Sequence, residues 1–244
     1  MPYRKEQFEN DEIYHITIRR VANFLLFEDV DDYYRGIFSI YEFNTSAYVT
    51  IRERRRIRAQ IKKSIQDNST PSAVIDSRDK LVEVLAFCLM PNHVHLLVKQ
   101  LKDKGISKFM QKFGGGYASY FREKHPLIKR GHFFSSTFNA VHIKDDNQLK
   151  TAFVYIHTNP IALIEPGWKE KGILNPREAI KFIENYKWSS YQDYLGKKNF
   201  PSMTERDFLL GVMGGENNCK SFVDDWLQYK NEISKFIELG LEID

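Results

Sequence analysis

At 244 residues, 42% hydrophobic and 28% charged, the chain has the make-up of an ordinary soluble globular protein, with length for one substantial domain with additions or for two small ones. Its formal net charge of +4 at pH 7 permits a polyanionic partner without demanding one. Two cysteines, Cys88 and Cys219, exclude a disulfide framework or a zinc finger, and neither a signal-peptide core nor a membrane-length apolar run is present, so a cytoplasmic protein with no membrane partner is expected.

In chain order, "IYHITIRRV" (13–21) alternates apolar and polar residues and predicts a strand. "EDVDDYYRGIFSIYEF" (28–43) opens with acidic residues suited to a helix N-terminus, and the basic stretch "IRERRRIRAQIKKS" (51–64) continues as helix towards Gln66. "DNSTPS" (67–72) reads as a loop. "KLVEVLAFCLM" and "HVHLLVKQ" are apolar runs separated by Pro91 and Asn92, a pair suited to a tight turn, so they predict a hairpin.

"GISKFMQKF" and "YASYFREKH" share a helical period on either side of Gly114, Gly115 and Gly116, a triplet expected to kink the helix or act as a hinge. "HFFSSTFNAVHI" (132–143) predicts a fourth strand, and Asp145 and Asp146 open a helix, "NQLKTAFVYIHTN", that Pro160 stops. The order strand, helix, strand, strand, helix, strand, helix is a split βαβ arrangement. It predicts an α+β fold: a ferredoxin-like four-stranded antiparallel sheet with helices on one face. The expected division is a core at 1–160 and a helical C-terminal extension at 161–244, with Trp188 and Tyr191 packing the extension onto the core.

Two histidines stand one residue apart in the second hairpin strand. His93 and His95 therefore share a face, with Val94 and Leu96 on the other. On the last core helix, Tyr155 and Asn159 are four residues apart and share a face at the border of the apolar stripe Leu149, Ala152, Phe153 and Ile156. If the two faces meet, two imidazoles and an amide oxygen form a three-ligand site with open positions for water and phosphate oxygens, suited to Mn²⁺ or Mg²⁺. Such an ion acts as a Lewis acid on a phosphodiester while the Tyr155 phenol attacks phosphorus.

"MPNHVHLLV" resembles the His-hydrophobe-His motif of the HUH endonucleases, and "YIHTNP" resembles the tyrosine-helix motif of the REP-associated tyrosine transposases and their insertion-sequence relatives. The likeness extends through "YHITIRR", "RGHFFSSTFNAV" and "WSSYQDYL", roughly residues 10 to 195, although the spacer holding "GWKEKGILNPREAIKFIEN" is longer than usual. The resemblance implies an RRM-like sheet, metal ligation by His93, His95 and Asn159, and Tyr155 as nucleophile. It implies cleavage of single-stranded DNA near imperfect hairpins through a 5′-phosphotyrosine, leaving a free 3′-hydroxyl and enough bond energy for rejoining. Single-stranded or hairpin DNA is then the partner, and the protein a monomer or homodimer.

Other residues carry competing readings. Arg52, Arg54, Arg55, Arg56, Arg58, Lys62 and Lys63 form either a solvated face or a phosphate contact. Tyr117 and Tyr120 are either base-stacking platforms or core. His15 is expected to be a hydrogen-bonded structural histidine, and His157 to lie on the surface. A catalytically silent hairpin-binding protein of the same fold is the alternative function, which intact Tyr155, His93, His95 and Asn159 argue against. A histidine-triad hydrolase needs a third histidine where this chain has Leu97.

Overall fold

Four strands form one antiparallel sheet in the order β2-β3-β1-β4: β1 (Ile13–Arg19), β2 (Val82–Met90), β3 (His93–Gln100) and β4 (Asn139–Ile143). This is a computed structural model, and it describes residues 7–66, 76, 78–127, 131–135 and 137–228. The predicted loop at 67–72 lies outside them. Among the described residues, a 3₁₀ turn (Val21–Asn23) and the helices α1 (Val30–Phe43), α2 (Ile51–Gln66) and α3 (Gly105–Lys124) interleave the strands. After β4 come α4 (Asp146–Thr158), a 3₁₀ turn (Asn159–Leu163), α5 (Trp168–Lys171), α6 (Pro176–Asn185), α7 (Tyr191–Tyr194), α8 (Arg206–Met213) and α9 (Glu216–Gln228). The predicted ferredoxin-like order is the observed one. β4 is shorter than expected, and among the described residues of its predicted first half only Phe134 forms a bridge, to Arg20.

Period-two alternation sorts the strand side chains onto two faces. Tyr14, Ile16, Ile18, Val94, Leu96 and Val98 pack with α1 and α3 on one face. Leu97, Cys88 and Met90 pack with α4 and the later helices on the other. Helices thus cover both faces: α1 and α3 lie as expected, and α4 is on the opposite side. A bulge between Val84 and Ala86 inserts Leu85, so Leu85 and Ala86 both join the α4 side.

Local chemistry fixes the helix starts. The Asp29 side chain accepts from Asp32 N at 3.0 Å at the head of α1, and Asp145 accepts from Gln148 N at 2.8 Å at the head of α4. Each such cap contributes about 1 kcal/mol. The "WSSY" stretch runs along the outer edge of β2: Leu89 N donates to Trp188 O at 2.8 Å, and Ser190 N to Phe87 O at 3.0 Å. That covers an edge otherwise open to another chain. Trp188 stacks on Tyr33 at 4.6 Å and Tyr191 is fully buried, so both pack the extension onto the core as expected.

The glycine triplet neither kinks nor hinges α3, which runs unbroken through it. Its purpose is close packing. A Cβ on Gly116 would stand 2.2 Å from the Phe43 ring, whereas one on Gly115 would meet nothing within 4 Å. Gly116→Ala is therefore expected to destabilise the fold by about 1–3 kcal/mol through overpacking. Gly115→Ala should stabilise it by about 0.5–1 kcal/mol through helix propensity. Urea midpoints of the two variants check both signs.

Candidate active site

Antiparallel pairing puts Thr17 opposite His95 and Arg19 opposite His93, so His15, Thr17 and Arg19 share the face of the two histidines. The rings of His93 and His95 are 4.7 Å apart at 84°, and His15 stacks on His95 at 5.2 Å and 10°. All three are buried. Burial, reinforced by the Lys169 charge, holds His15 down at about 3; burial, then the Arg19 and Lys169 charges, holds His93 at about 3. His95 is lowered well below the ordinary value, first by burial and then by its two histidine neighbours. At neutral pH the three are imidazoles with a lone pair to offer, not cations.

Neighbours set which nitrogen offers it. His93 Nδ1 is 2.6 Å from Asn92 Oδ1, which can only accept, so the hydrogen sits on Nδ1 and the lone pair on Nε2. His95 Nδ1 is 3.0 Å from His15 Nε2 and 3.1 Å from Thr17 Oγ1. With the hydrogen on His95 Nδ1, its Nε2 keeps a lone pair, and that Nε2 is buried without a hydrogen-bond partner. This is how proteins orient metal-binding histidines.

The α4 face meets this one. Tyr155 stands edge-on to His95 at 5.5 Å and to His15 at 5.7 Å. Asn159 lies within hydrogen-bonding reach of the His93 ring, and its Nδ2 is buried without a partner. Both are 4% exposed, deeper than the border position expected of them. Among the described residues no group of three or more His, Cys, Asp or Glu side chains is arranged to hold a metal ion. Two imidazoles and an amide do fit one, because a bare Nε2 lone pair in a dry setting calls for a cation.

Residues 43–159 match the family model described as "Transposase IS200 like". This segment is similar to that family. No curated protein matches the chain. A solved REP-associated tyrosine transposase bound to a REP hairpin superposes with a TM-score of 0.42 at 14% identity, over 85% of this chain and 92% of that one. A bacterial tRNA(His) guanylyltransferase-like protein in complex with ATP gives 0.33 at 11%, over 75% of this chain and 73% of that one. The tRNA(His) guanylyltransferase of Saccharomyces cerevisiae gives 0.28 at 12%, over 75% and 76%. At these scores none of the three carries weight for function.

Several expectations are corrected by the structure. His157 is not on the surface: it is fully buried, with Nε2 2.8 Å from Ser190 Oγ. Tyr117 is core, its hydroxyl donating to Leu26 O at 2.8 Å, so its ring is closed to a base. Tyr120 is half-buried and donates to Asp32 Oδ1 at 2.9 Å, on the sheet face away from the histidines. His15 is a buried, hydrogen-bonded histidine, and it also sits inside the cluster.

The basic helix α2 packs on α1, remote from the histidine face. Arg58 Nε is 2.6 Å from Glu42 and its guanidinium lies over Tyr41, while Arg54 is 3.6 Å from Glu42. Arg55 faces Phe38, and Arg52, Arg56 and Lys63 are exposed. The side chain of Lys62 lies outside those described. Sequence reasoning missed Lys169, whose Nζ donates to Tyr155 Oη at 3.1 Å. No spacing rule finds a lysine fourteen residues along and on another element.

Asn92→Ala removes the acceptor that fixes the His93 tautomer. The expected result is a mixed tautomer population in ¹⁵N-detected NMR and a loss of about 10–100-fold in Mn²⁺ affinity.

Proposed function

We propose that the chain is a metal-dependent single-stranded DNA transposase that nicks and rejoins DNA near hairpins, with Tyr155 as nucleophile and His93, His95 and Asn159 as metal ligands. Residues 1–160 form the catalytic core in this reading, and 161–244 the extension. The observation that supports it most is the convergence, in one chain, of a phenol edge-on to His95 with an imidazole pair that buries an unpartnered Nε2. The match of residues 43–159 to the IS200-like transposase model points the same way.

A divalent cation held by these residues, Mg²⁺ or Mn²⁺, supplies Lewis acidity to a phosphate oxygen. The remaining work falls to the chain. α4 holds the phenol against the sheet, limiting its rotation and so raising the fraction of encounters in which it faces phosphorus. Attack by Tyr155 Oη forms the O–P bond, the P–O3′ bond breaks, and the 3′-oxygen leaves with its electron pair. The phosphotyrosine keeps the ester bond energy, so a 3′-hydroxyl reverses the step without a nucleotide cofactor. Burial of His15 and His95 keeps water from the non-reacting side of the tyrosine ring.

With a labelled hairpin-bearing single-stranded oligonucleotide and Mn²⁺, the wild-type chain is expected to form an SDS-resistant protein–DNA adduct. Tyr155→Phe and His95→Ala should form none, and a chelator should return the wild type to background. A hairpin-binding protein without cleavage would bind the same oligonucleotide and give no adduct under any condition. Adduct formation by Tyr155→Phe would remove the tyrosine from its assigned role.

A further inference from the structure

Lys169 meets the nucleophile twice. Its Nζ donates to Tyr155 Oη at 3.1 Å and stands 4.6 Å from the centre of the ring. One ammonium therefore restrains both the oxygen and the plane of the phenol. Contacts of this kind are stronger where water is scarce, and Tyr155 is 4% exposed.

The lysine arrives on an element built to deliver it. A four-residue helix has no stability of its own, so α5 depends on its anchors. Gly167, at φ 79°, turns the chain into α5, and Gly172, at φ 80°, turns it out. Both positions favour glycine. Trp168 between them is buried and packs edge-on against Trp226 of α9 at 5.4 Å and 82°. Lys169 follows that anchor directly and is half-buried. It lies beyond residue 159, where the family match ends.

Resting on the reading of Tyr155 as nucleophile, we propose that Lys169 is a further catalytic residue of this site, holding the attacking oxygen in place and setting positive charge beside the phosphoryl group during transfer. The phenol proton leaves to solvent, the Tyr155 oxygen pair forms the O–P bond, and the P–O3′ pair departs on the 3′-oxygen, which takes a proton from solvent. Negative charge on the phosphoryl oxygens is greatest between bond making and bond breaking. A cation hydrogen-bonded to the attacking oxygen is fixed in advance where that charge develops.

The test compares wild type, Lys169→Gln, Lys169→Arg and, as a second uncharged variant, Lys169→Met. Three quantities are measured: the single-turnover rate of adduct formation at saturating hairpin oligonucleotide with Mn²⁺, the Kd for that oligonucleotide, and the melting temperature. The uncharged variants are expected to slow adduct formation about 10- to 100-fold at saturation. Melting temperature and Kd should stay close to wild type, and Lys169→Arg should run faster than Lys169→Gln. Wild-type rates in the uncharged variants, or a defect that disappears at saturating DNA, would overturn the assignment, as would Lys169→Arg no faster than Lys169→Gln. If the wild type itself forms no adduct while binding DNA, the nucleophile reading fails first and this one falls with it.

Discussion

The burial of three uncharged imidazoles between the sheet and α4 is the constraint on which the rest depends. A protonated histidine there would be a cation removed from water with no carboxylate partner among the described residues, so desolvation keeps His15, His93 and His95 neutral. Neutral rings can stack and share hydrogen bonds, as His15 and His95 do, but His95 Nε2, which faces the cluster's other histidine and Tyr155, and His15 Nδ1 are left over. Proteins rarely leave such a group unpartnered without a use for it. A cation is the use that the chemistry of the group suggests.

What presses α4 onto those rings is the segment after residue 160. Trp168, Ala179, Ile183, Tyr191, Tyr194, Leu209, Met213, Cys219, Val223 and Leu227 share one apolar cluster with α4 and the β2–β3 hairpin. At roughly 1.5–3 kcal/mol for each large apolar side chain buried, this packing far outweighs the modest preference of α4 for helix. The dryness of the site, and with it the state of the histidines, is therefore a property of the extension as much as of the sheet. Tyr155 is held from two sides, by histidines on the sheet and by Lys169 from α5.

Much of this was legible from local pattern. Period two put His93 and His95 on one face, the proline-asparagine turn gave the hairpin, and the four-residue step aligned Tyr155 with Asn159. These rules are geometric and survive burial. Reasoning from amphipathicity failed where part of an element has no wet face, as in α4 from Ala152 to Thr158, all of it buried. α4 is covered by the sheet on one side and by later helices on the other, so His157, expected in solvent, is in the core with Ser190. Tyr117 is a similar case: helical spacing cannot say whether an aromatic ring is lining or surface until the packing partner, here Leu26 and Phe27, is known. Gly116 looked like a hinge because its neighbour Phe43, distant in sequence, was invisible. Lys169 was missed for the same reason, since contacts between elements far apart in the chain leave no local trace.

The most direct measurement of the central claim is an anomalous difference map from crystals of the protein soaked in Mn²⁺. The account predicts one strong peak bounded by the Nε2 atoms of His93 and His95 and the side-chain oxygen of Asn159, with Tyr155 of the same chain beside it. A peak bound elsewhere, or one completed by the tyrosine of a second chain while this Tyr155 stays remote, would contradict it.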